Sequence, residues 1–151
     1  MTSEDADLPP ALAEIVEDFG ALAVPDRLQL LLDFSRELPA LPQKYCDHPE
    51  LLEPVPECQS PIFLVTEVEG SGAGAPVHLF FSAPPEAPTT RGFAGILAEG
   101  LEGLTAAQVL AVPDDVSHRL GLDEAVSPLR LRGMSGMLGR IKRQVREKSS
   151  A

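Results

Sequence analysis

The sequence has no tryptophan and only one tyrosine, so six phenylalanines supply most of its aromatic content. It also has no apolar run that approaches the roughly 20 residues of a membrane-spanning helix, and we expect no membrane partner. The acidic segment MTSEDADLPP at the start has no apolar region like that of a signal peptide. Together these absences predict a cytoplasmic protein.

Positive charge is scarce, with 12 lysines and arginines against 23 acidic residues and a net charge of -11. Nucleic-acid binding needs positive charge facing the phosphates, so we expect no nucleic-acid partner. Residues 130–151 are the exception, with seven basic residues and one acid. Two interpretations remain open: these are cations at the end of a solvated helix, or they pair with the protein's own acidic surface or an acidic partner.

The chain has two cysteines, Cys46 and Cys58, and in a reducing compartment we expect both to be thiols. Cys46 is followed by Asp47 and His48, but no C-x2-C pair and no second pair of ligands exist. A structural zinc site needs four ligands, so we predict no bound metal. The Gly-rich stretch at 69–76 lacks the Lys-Ser/Thr of a phosphate loop. No G-x-S-x-G elbow supports a hydrolase.

A length of 151 residues predicts one domain, which is large enough to fold without a disulfide or a metal. We place a disordered acidic lead at residues 1–8, the domain at 9–148 and a tail at 149–151. Residues 39–56 contain five prolines and no clear period, and they predict a long loop.

The remaining elements follow from periodicity and from stop signals. Apolar spacing predicts helices over 9–20 and 25–38. Runs of β-branched and aromatic residues predict a hairpin with strands at 62–68 and 77–81. Further helices are predicted over 93–104, 106–112, 116–120 and from Ser127-Pro128 onward. Helices, a hairpin and helices again, in that order, predict an α+β fold with a small antiparallel sheet flanked by helices.

Cys58 lies in the segment VPECQSPIF, at a polar bend just before a predicted strand. A side chain at this position can be presented rather than packed, although the sequence does not give the exposure of Cys58. We expect Ser60 to make a local hydrogen bond that shapes the bend. A cysteine reacts as the thiolate, which nearby cations favour, yet the nearest charge is Glu57. From these residues alone, it stays open whether Cys58 is functional.

The segment PECQSPIF resembles the Cys-Gln-Ser signature of the SufE family, the sulfur acceptors of cysteine desulfurases. Three further segments resemble the family in the same order. They are DRLQLLLDFSRELPALP (26–42), GILAEGLEGLTAAQVLAV (95–112) and VSPLRLRGMSGMLGRIKRQV (126–145), the last carrying a Ser-Pro-x-Arg-x-x-Gly pattern. The resemblance covers roughly residues 10–146.

The resemblance implies an α+β fold shared with iron–sulfur scaffolds of the IscU type. It implies that Cys58 takes persulfide sulfur from a pyridoxal-phosphate-dependent cysteine desulfurase similar to SufS, stimulates that enzyme and passes sulfur to an iron–sulfur scaffold. Gln59, Ser60 and Arg130 would support the transfer, and the chain would hold no cofactor. It would then be a covalent carrier rather than a stand-alone enzyme. The alternatives are a non-catalytic adaptor, or a metal-binding scaffold that uses Cys46, Cys58 and a histidine.

The sequence departs from the family pattern at several positions. Glu57 replaces a glycine that is usual before the cysteine, and Phe63 stands where tryptophan is frequent. Arg91 stands in place of an acidic cluster before the central helix, so the partner surface is expected to differ there. Cys46 is additional, and it is either an incidental thiol or one that resolves a persulfide on Cys58.

Overall fold

The computed structural model describes residues 8–150, in which helices surround a three-stranded antiparallel sheet, and it confirms the predicted α+β class. The elements are α1 (Pro10–Gly20), α2 (Val24–Glu37), α3 (Gln43–Asp47), β1 (Glu53–Pro54), β2 (Phe63–Val68), β3 (Val77–Ser82), α4 (Pro88–Leu101), α5 (Ala106–Leu110), α6 (Val116–Arg119) and α7 (Pro128–Ser149). Within residues 8–150, no helix combines the length and apolar character needed to cross a lipid bilayer.

The sheet has the strand order β1-β2-β3, and alternation along its strands gives it two different faces. Leu64, Leu79 and Phe81 point to the front face and join the main core with α4 and α7. Phe63 and Phe80 point to the back face, where a second, smaller apolar cluster lies. Residues on the two faces therefore belong to separate environments.

The segment 39–56 was predicted to be one long loop, and this prediction is wrong. It contains α3, a 3-10 turn at Pro49–Leu51 and β1. These elements are too short to show a period in the sequence, and tertiary contacts hold them in place. Tyr45 on α3 is buried against the back face of the sheet, and its hydroxyl donates a hydrogen bond to Glu67. The segment thus covers a face that would otherwise be open.

The helix α4 begins at Pro88, five residues before the predicted start at 93. Two glycines of this helix, Gly92 and Gly95, allow it to pack closely against α2. A Cβ atom at Gly95 would lie 2.4 Å from the carbonyl oxygen of Phe34 on α2. The two helices therefore meet backbone to backbone, which any larger residue at position 95 would prevent.

Both predicted ends of the domain can be compared in part with the structure. The acidic lead at residues 1–8 lies outside the described residues except for Leu8, which is buried in the core. Ser149, which was assigned to the tail, is the last residue of α7. Its carbonyl accepts a hydrogen bond of 2.8 Å from the N–H of Gly72 in the turn between β2 and β3.

The basic region at 130–151 pairs with the protein's own carboxylates. Arg140 and Arg143 contact Glu53, and Lys142 contacts Asp114 at 2.7 Å. The interpretation that this region neutralises the protein's own acidic surface is confirmed for these three cations. They fasten α7 across the front of the sheet and beside the loop that carries Cys58.

Candidate functional site

Main-chain hydrogen bonds fix the loop that carries Cys58, between β1 and β2. The N–H of Val55 donates to the carbonyl of Ile62 at 2.9 Å and closes the base of the loop. The N–H of Cys58 donates to the carbonyl of Val55 at 3.0 Å, with Pro56 and Glu57 at the centre of that turn. Proline suits the second position of such a turn because its φ is already fixed. Val55 and Ile62 are both buried, so the loop is anchored at its two ends.

The Cys58 side chain is buried, with 9% of its surface exposed, although it lies at a bend where a side chain could be presented. The reason lies 75 positions further along the chain, at Gly133 of α7. A Cβ atom at Gly133 would come within 2.8 Å of Cys58 Sγ. The glycine leaves the space in which the thiol rests against the helix.

Burial raises the pKa of the Cys58 thiol to about 11, and the negative charge of Glu57 raises it as well. The positive charge of Arg140 acts in the opposite direction but does not offset these two effects. At neutral pH the thiol is therefore protonated in this conformation. Since only the thiolate attacks sulfur, Cys58 in this state is a poor nucleophile.

An ion pair holds the centre of the loop against α7. Arg140 Nη2 donates to both carboxylate oxygens of Glu57, at 2.9 and 3.0 Å, and Nη1 donates to Glu53 at 2.7 Å. A Cβ atom at Gly136 would lie 2.9 Å from the Glu57 side chain, so α7 is close here too. Burial alone would raise the pKa of Glu53, but hydrogen bonds from Arg143, Gln144 and Arg140 lower it to about 2.

A cleft of about 240 Å³ opens beside Cys58. Its lining includes all four residues that the resemblance implied for the site: Cys58, Gln59, Ser60 and Arg130. The first three come from the loop, and Arg130 comes from the start of α7. Glu57, Thr90 and Leu129 complete it. The side chain of Leu129 is unusually open for leucine, with 46% of its surface exposed. Sequence reasoning missed Thr90 and Leu129; Leu129 occupies the variable position of the Ser-Pro-x-Arg pattern, and nothing in the sequence marks Thr90.

The expected local hydrogen bond from Ser60 is not found among the described residues. The main-chain bonds of the loop already fix the bend, so the hydroxyl is not needed for its shape. Within residues 8–150, Gln59 and Arg130 likewise have no side-chain hydrogen bond or ion pair with the protein. Their polar groups are therefore available to a ligand or a partner at the cleft.

The second cysteine is remote from this site in the architecture. Cys46 is exposed on α3, which covers the back face of the sheet, whereas Cys58 belongs to the main core on the front. In the part of the chain that the structure describes, no three His, Cys, Asp or Glu side chains converge on a point that would suit a metal ion. A site that combines Cys46 with Cys58 does not fit this arrangement.

Comparison with known proteins gives consistent results. Residues 13–145 match the family model SufE, described as "Fe-S metabolism associated domain". Two uncharacterized SufE-like proteins, from two strains of Mycobacterium tuberculosis, are each 57% identical over 142 residues, which is 94% of this chain and 96% of theirs. The SufE-like protein 1 of Arabidopsis thaliana, chloroplastic/mitochondrial, is 26% identical over 87% of this chain and 34% of its own length.

The fold is also found in a solved structure. The solution structure of a hypothetical protein from Thermus thermophilus matches with a TM-score of 0.78 and 40% identity, over 93% of this chain and 97% of that one. The family match spans the Cys58 loop, the cleft and almost all of α7. It supports a role in iron–sulfur metabolism and an association with the machinery of iron–sulfur assembly. The chain belongs to the SufE family.

Proposed function

We propose that this protein is a sulfur carrier, in which Cys58 accepts sulfur from a pyridoxal-phosphate-dependent cysteine desulfurase similar to SufS and passes it to an iron–sulfur scaffold. The observation that carries the proposal is the meeting of Cys58 with Gln59, Ser60 and Arg130 in one cleft. Family membership supports the same direction. The carrier works in the cytoplasm, stimulates the desulfurase and needs no cofactor of its own.

The transfer is a thiol–disulfide type of exchange and needs no external oxidant. The Cys58 thiolate attacks the outer sulfur of the desulfurase persulfide, and a new sulfur–sulfur bond forms on Cys58. The bond between the two donor sulfurs breaks, and the desulfurase cysteine leaves as a thiolate. Cys58 then carries a persulfide, and a second exchange of the same kind delivers the sulfur to the scaffold.

The buried state of Cys58 requires a movement before this attack. A protonated thiol at 9% exposure does not reach a donor in another protein. We expect docking of the desulfurase to select a state in which residues 56–61 leave α7 and expose the thiol. Burial in the free protein would protect Cys58 from oxidation between rounds of transfer.

Arg130 is suited to act when the loop, carrying sulfur on Cys58, returns to α7. It lies at the first turn of α7, is exposed and lines the cleft beside Cys58. A guanidinium near a sulfur anion favours the thiolate and the persulfide anion, because opposite charge stabilises the ionised form. Gln59 and Ser60 supply hydrogen-bond donors at the same cleft.

The first experiment measures the intact mass of the protein after it is mixed with a SufS-like desulfurase and cysteine without reductant. We expect a gain of one or more sulfur atoms, removable by reductant and located on Cys58 by peptide mapping. Cys58→Ser should abolish the gain, and Cys46→Ser should preserve it. Sulfur on Cys46 alone, or none at all with an active desulfurase, would refute covalent carriage by Cys58.

The same variants address the adaptor alternative. If the protein is an adaptor that only holds an assembly complex together, its Cys58→Ser variant would still stimulate the desulfurase. A carrier would lose that stimulation, since turnover depends on removing sulfur from the enzyme. Zinc and iron content of protein purified without chelators checks the scaffold alternative, which the separation of Cys46 from Cys58 does not favour.

A further inference from the structure

The strand β3 leaves part of one edge open. It pairs with β2 on one side, and on the other side Val77 uses both main-chain groups, donating to Leu104 at 2.8 Å and accepting from Gly103 at 3.1 Å. Outward-facing groups recur at every second residue of an antiparallel strand, which places those of Leu79 and Phe81 on the same edge. Among the described residues, no main-chain hydrogen bond reaches these two from outside the sheet.

A groove of about 460 Å³ runs beside this open edge. It contacts both Leu79 and Phe80, whose side chains point to opposite faces of the sheet, so it must lie along the edge of the strand. Gly95 and Ala98 of α4 form one wall. Pro39 and Ala40 line it too, so most of the lining is apolar.

Three carboxylates surround the groove, those of Glu37, Glu99 and Glu102. Neither lysine nor arginine lines it. Glu102 is paired with His78 at 2.6 Å, but within residues 8–150 Glu37 and Glu99 have no ion pair. Burial raises the pKa of Glu99, and the charges of Glu37 and Glu14 raise it as well. The groove therefore carries negative charge that the described part of the chain does not compensate.

We propose that this groove binds an extended, Lys/Arg-bearing segment of a partner protein, which adds to β3 as a fourth strand. The open main-chain groups of Leu79 and Phe81 supply the pairing, as in other complexes that extend a sheet at its edge. The three carboxylates around the groove, which form its rim, select basic side chains. The apolar lining accepts the side chains that alternate with them along the segment. This surface shares no residue with the cleft at Cys58, so it is a second contact site beyond the proposed transfer function.

Charge favours a basic segment of another protein over two other possible occupants of the groove, the chain's own first residues and a second copy of the chain. The chain's own first residues are acidic and would be repelled by the rim. A second copy would bring another strongly acidic molecule to an acidic groove, which opposes association. A basic segment from a different protein meets neither obstacle.

The test is fluorescence-anisotropy titration with three end-capped, eight-residue peptides. One alternates valine and lysine, one alternates valine and glutamate, and the third is the lysine peptide with alternate amides N-methylated. We expect the lysine peptide to bind, and both other peptides to bind at least about tenfold more weakly. The amide NMR signals of Leu79 and Phe81 should shift on binding.

The matched variants test whether the rim causes the preference. The double variant Glu37→Gln, Glu99→Gln should weaken binding of the lysine peptide by about fivefold to tenfold, in line with two partly exposed ion pairs. The control double variant Asp18→Asn, Glu86→Gln changes the net charge equally at exposed positions and should leave binding unchanged. Absent binding, equal loss in both double variants, or equal binding of the N-methylated peptide would overturn the proposal. Association of the chain with itself that blocks binding of the lysine peptide would overturn it in favour of a second copy.

Discussion

Glu57 is the residue that joins the Cys58 loop most directly to α7. Its carboxylate accepts three hydrogen bonds from Arg140, and its charge raises the pKa of the neighbouring thiol. Both effects keep Cys58 in an unreactive state, one by holding the loop closed and the other by favouring the protonated thiol. A glycine at this position would provide neither.

Replacing Glu57 with glutamine should therefore make Cys58 more reactive in the free protein. The loss of a partly exposed ion pair, about 1 kcal/mol, favours opening roughly fivefold. Removal of the negative charge also lowers the thiol pKa. We expect Cys58 in a Cys46→Ser background to react with iodoacetamide at least about fivefold faster.

The control for this prediction is Glu50→Gln, which removes a carboxylate from the exposed 3-10 turn that follows α3. It should leave the alkylation rate unchanged. Rates measured across pH distinguish the two effects, because opening raises the rate at every pH whereas a lower thiol pKa shifts the profile. Equal rates for Glu57→Gln and the parent would show that this ion pair does not restrain the loop.

At this scale the sequence allowed part of the site to be predicted. Resemblance to the family identified Cys58, Gln59, Ser60 and Arg130, and the structure brings these residues to one cleft. The burial of Cys58 was not predictable from its neighbours, because it depends on Gly133 in a distant helix. Local sequence describes the polarity of a loop but not the surface on which that loop rests.

Among the secondary-structure elements, the contact between α2 and α4 depends most on a missing side chain. The carbonyl of Phe34 occupies the place where a Cβ atom of residue 95 would be. Gly95→Ala should lower the free energy of unfolding by about 1 to 3 kcal/mol through overpacking, in spite of the better helix propensity of alanine. Urea unfolding measures the change as a lower midpoint.

Gly139 provides the matched control in α7. A Cβ atom there would meet no atom within 4 Å, so only helix propensity changes. Gly139→Ala should raise stability by about 0.5 to 1 kcal/mol. Similar effects of the two substitutions would mean that α2 and α4 can separate without cost, contrary to the packing described above.

Most elements followed from the sequence, whereas α3, β1 and the start of α4 did not. Apolar periodicity identified α1 and α2, and runs of β-branched and aromatic residues identified the hairpin, all within one residue. Burial of one face dominates in elements of that length. The helix α3 spans five residues and β1 two, so neither contains a full period. The position of α3 depends on covering the back face of the sheet, and that of β1 depends on pairing with β2. Neither contact is visible in the local sequence.

For the molecule as a whole, the main electrostatic feature is the joining of an acidic body to a basic final helix. Glu53 is central to it, with a pKa of about 2 that lies below the ordinary value of 4.5. A carboxylate whose pKa falls on folding stabilises the fold above its unfolded pKa, and that stability is lost as the pH falls towards the folded value. The pKa of Glu57 and that of Glu67 are also lowered, so they act in the same direction.

We therefore expect the free energy of unfolding to fall between about pH 4.5 and pH 2, with about 2 to 3 kcal/mol of the loss due to Glu53. Thermal or urea unfolding across this range measures it. Glu53→Gln should be less stable at pH 7 and should show a smaller loss on acidification. The exposed control Glu86→Gln should follow the parent curve. If Glu53→Gln lost as much stability on acidification as the parent, the loss would not be due to Glu53.

The single tyrosine has a practical consequence for following these states. Tyr45 lies behind the sheet with its ring 5.5 Å from that of Phe80, and the chain has no tryptophan. Near-ultraviolet circular dichroism above the phenylalanine bands therefore has one source. An unlabelled sample reports through this chromophore on the order of the back layer alone, while Cys58 chemistry is read out separately by mass. The two layers of the molecule can thus be observed independently in one preparation.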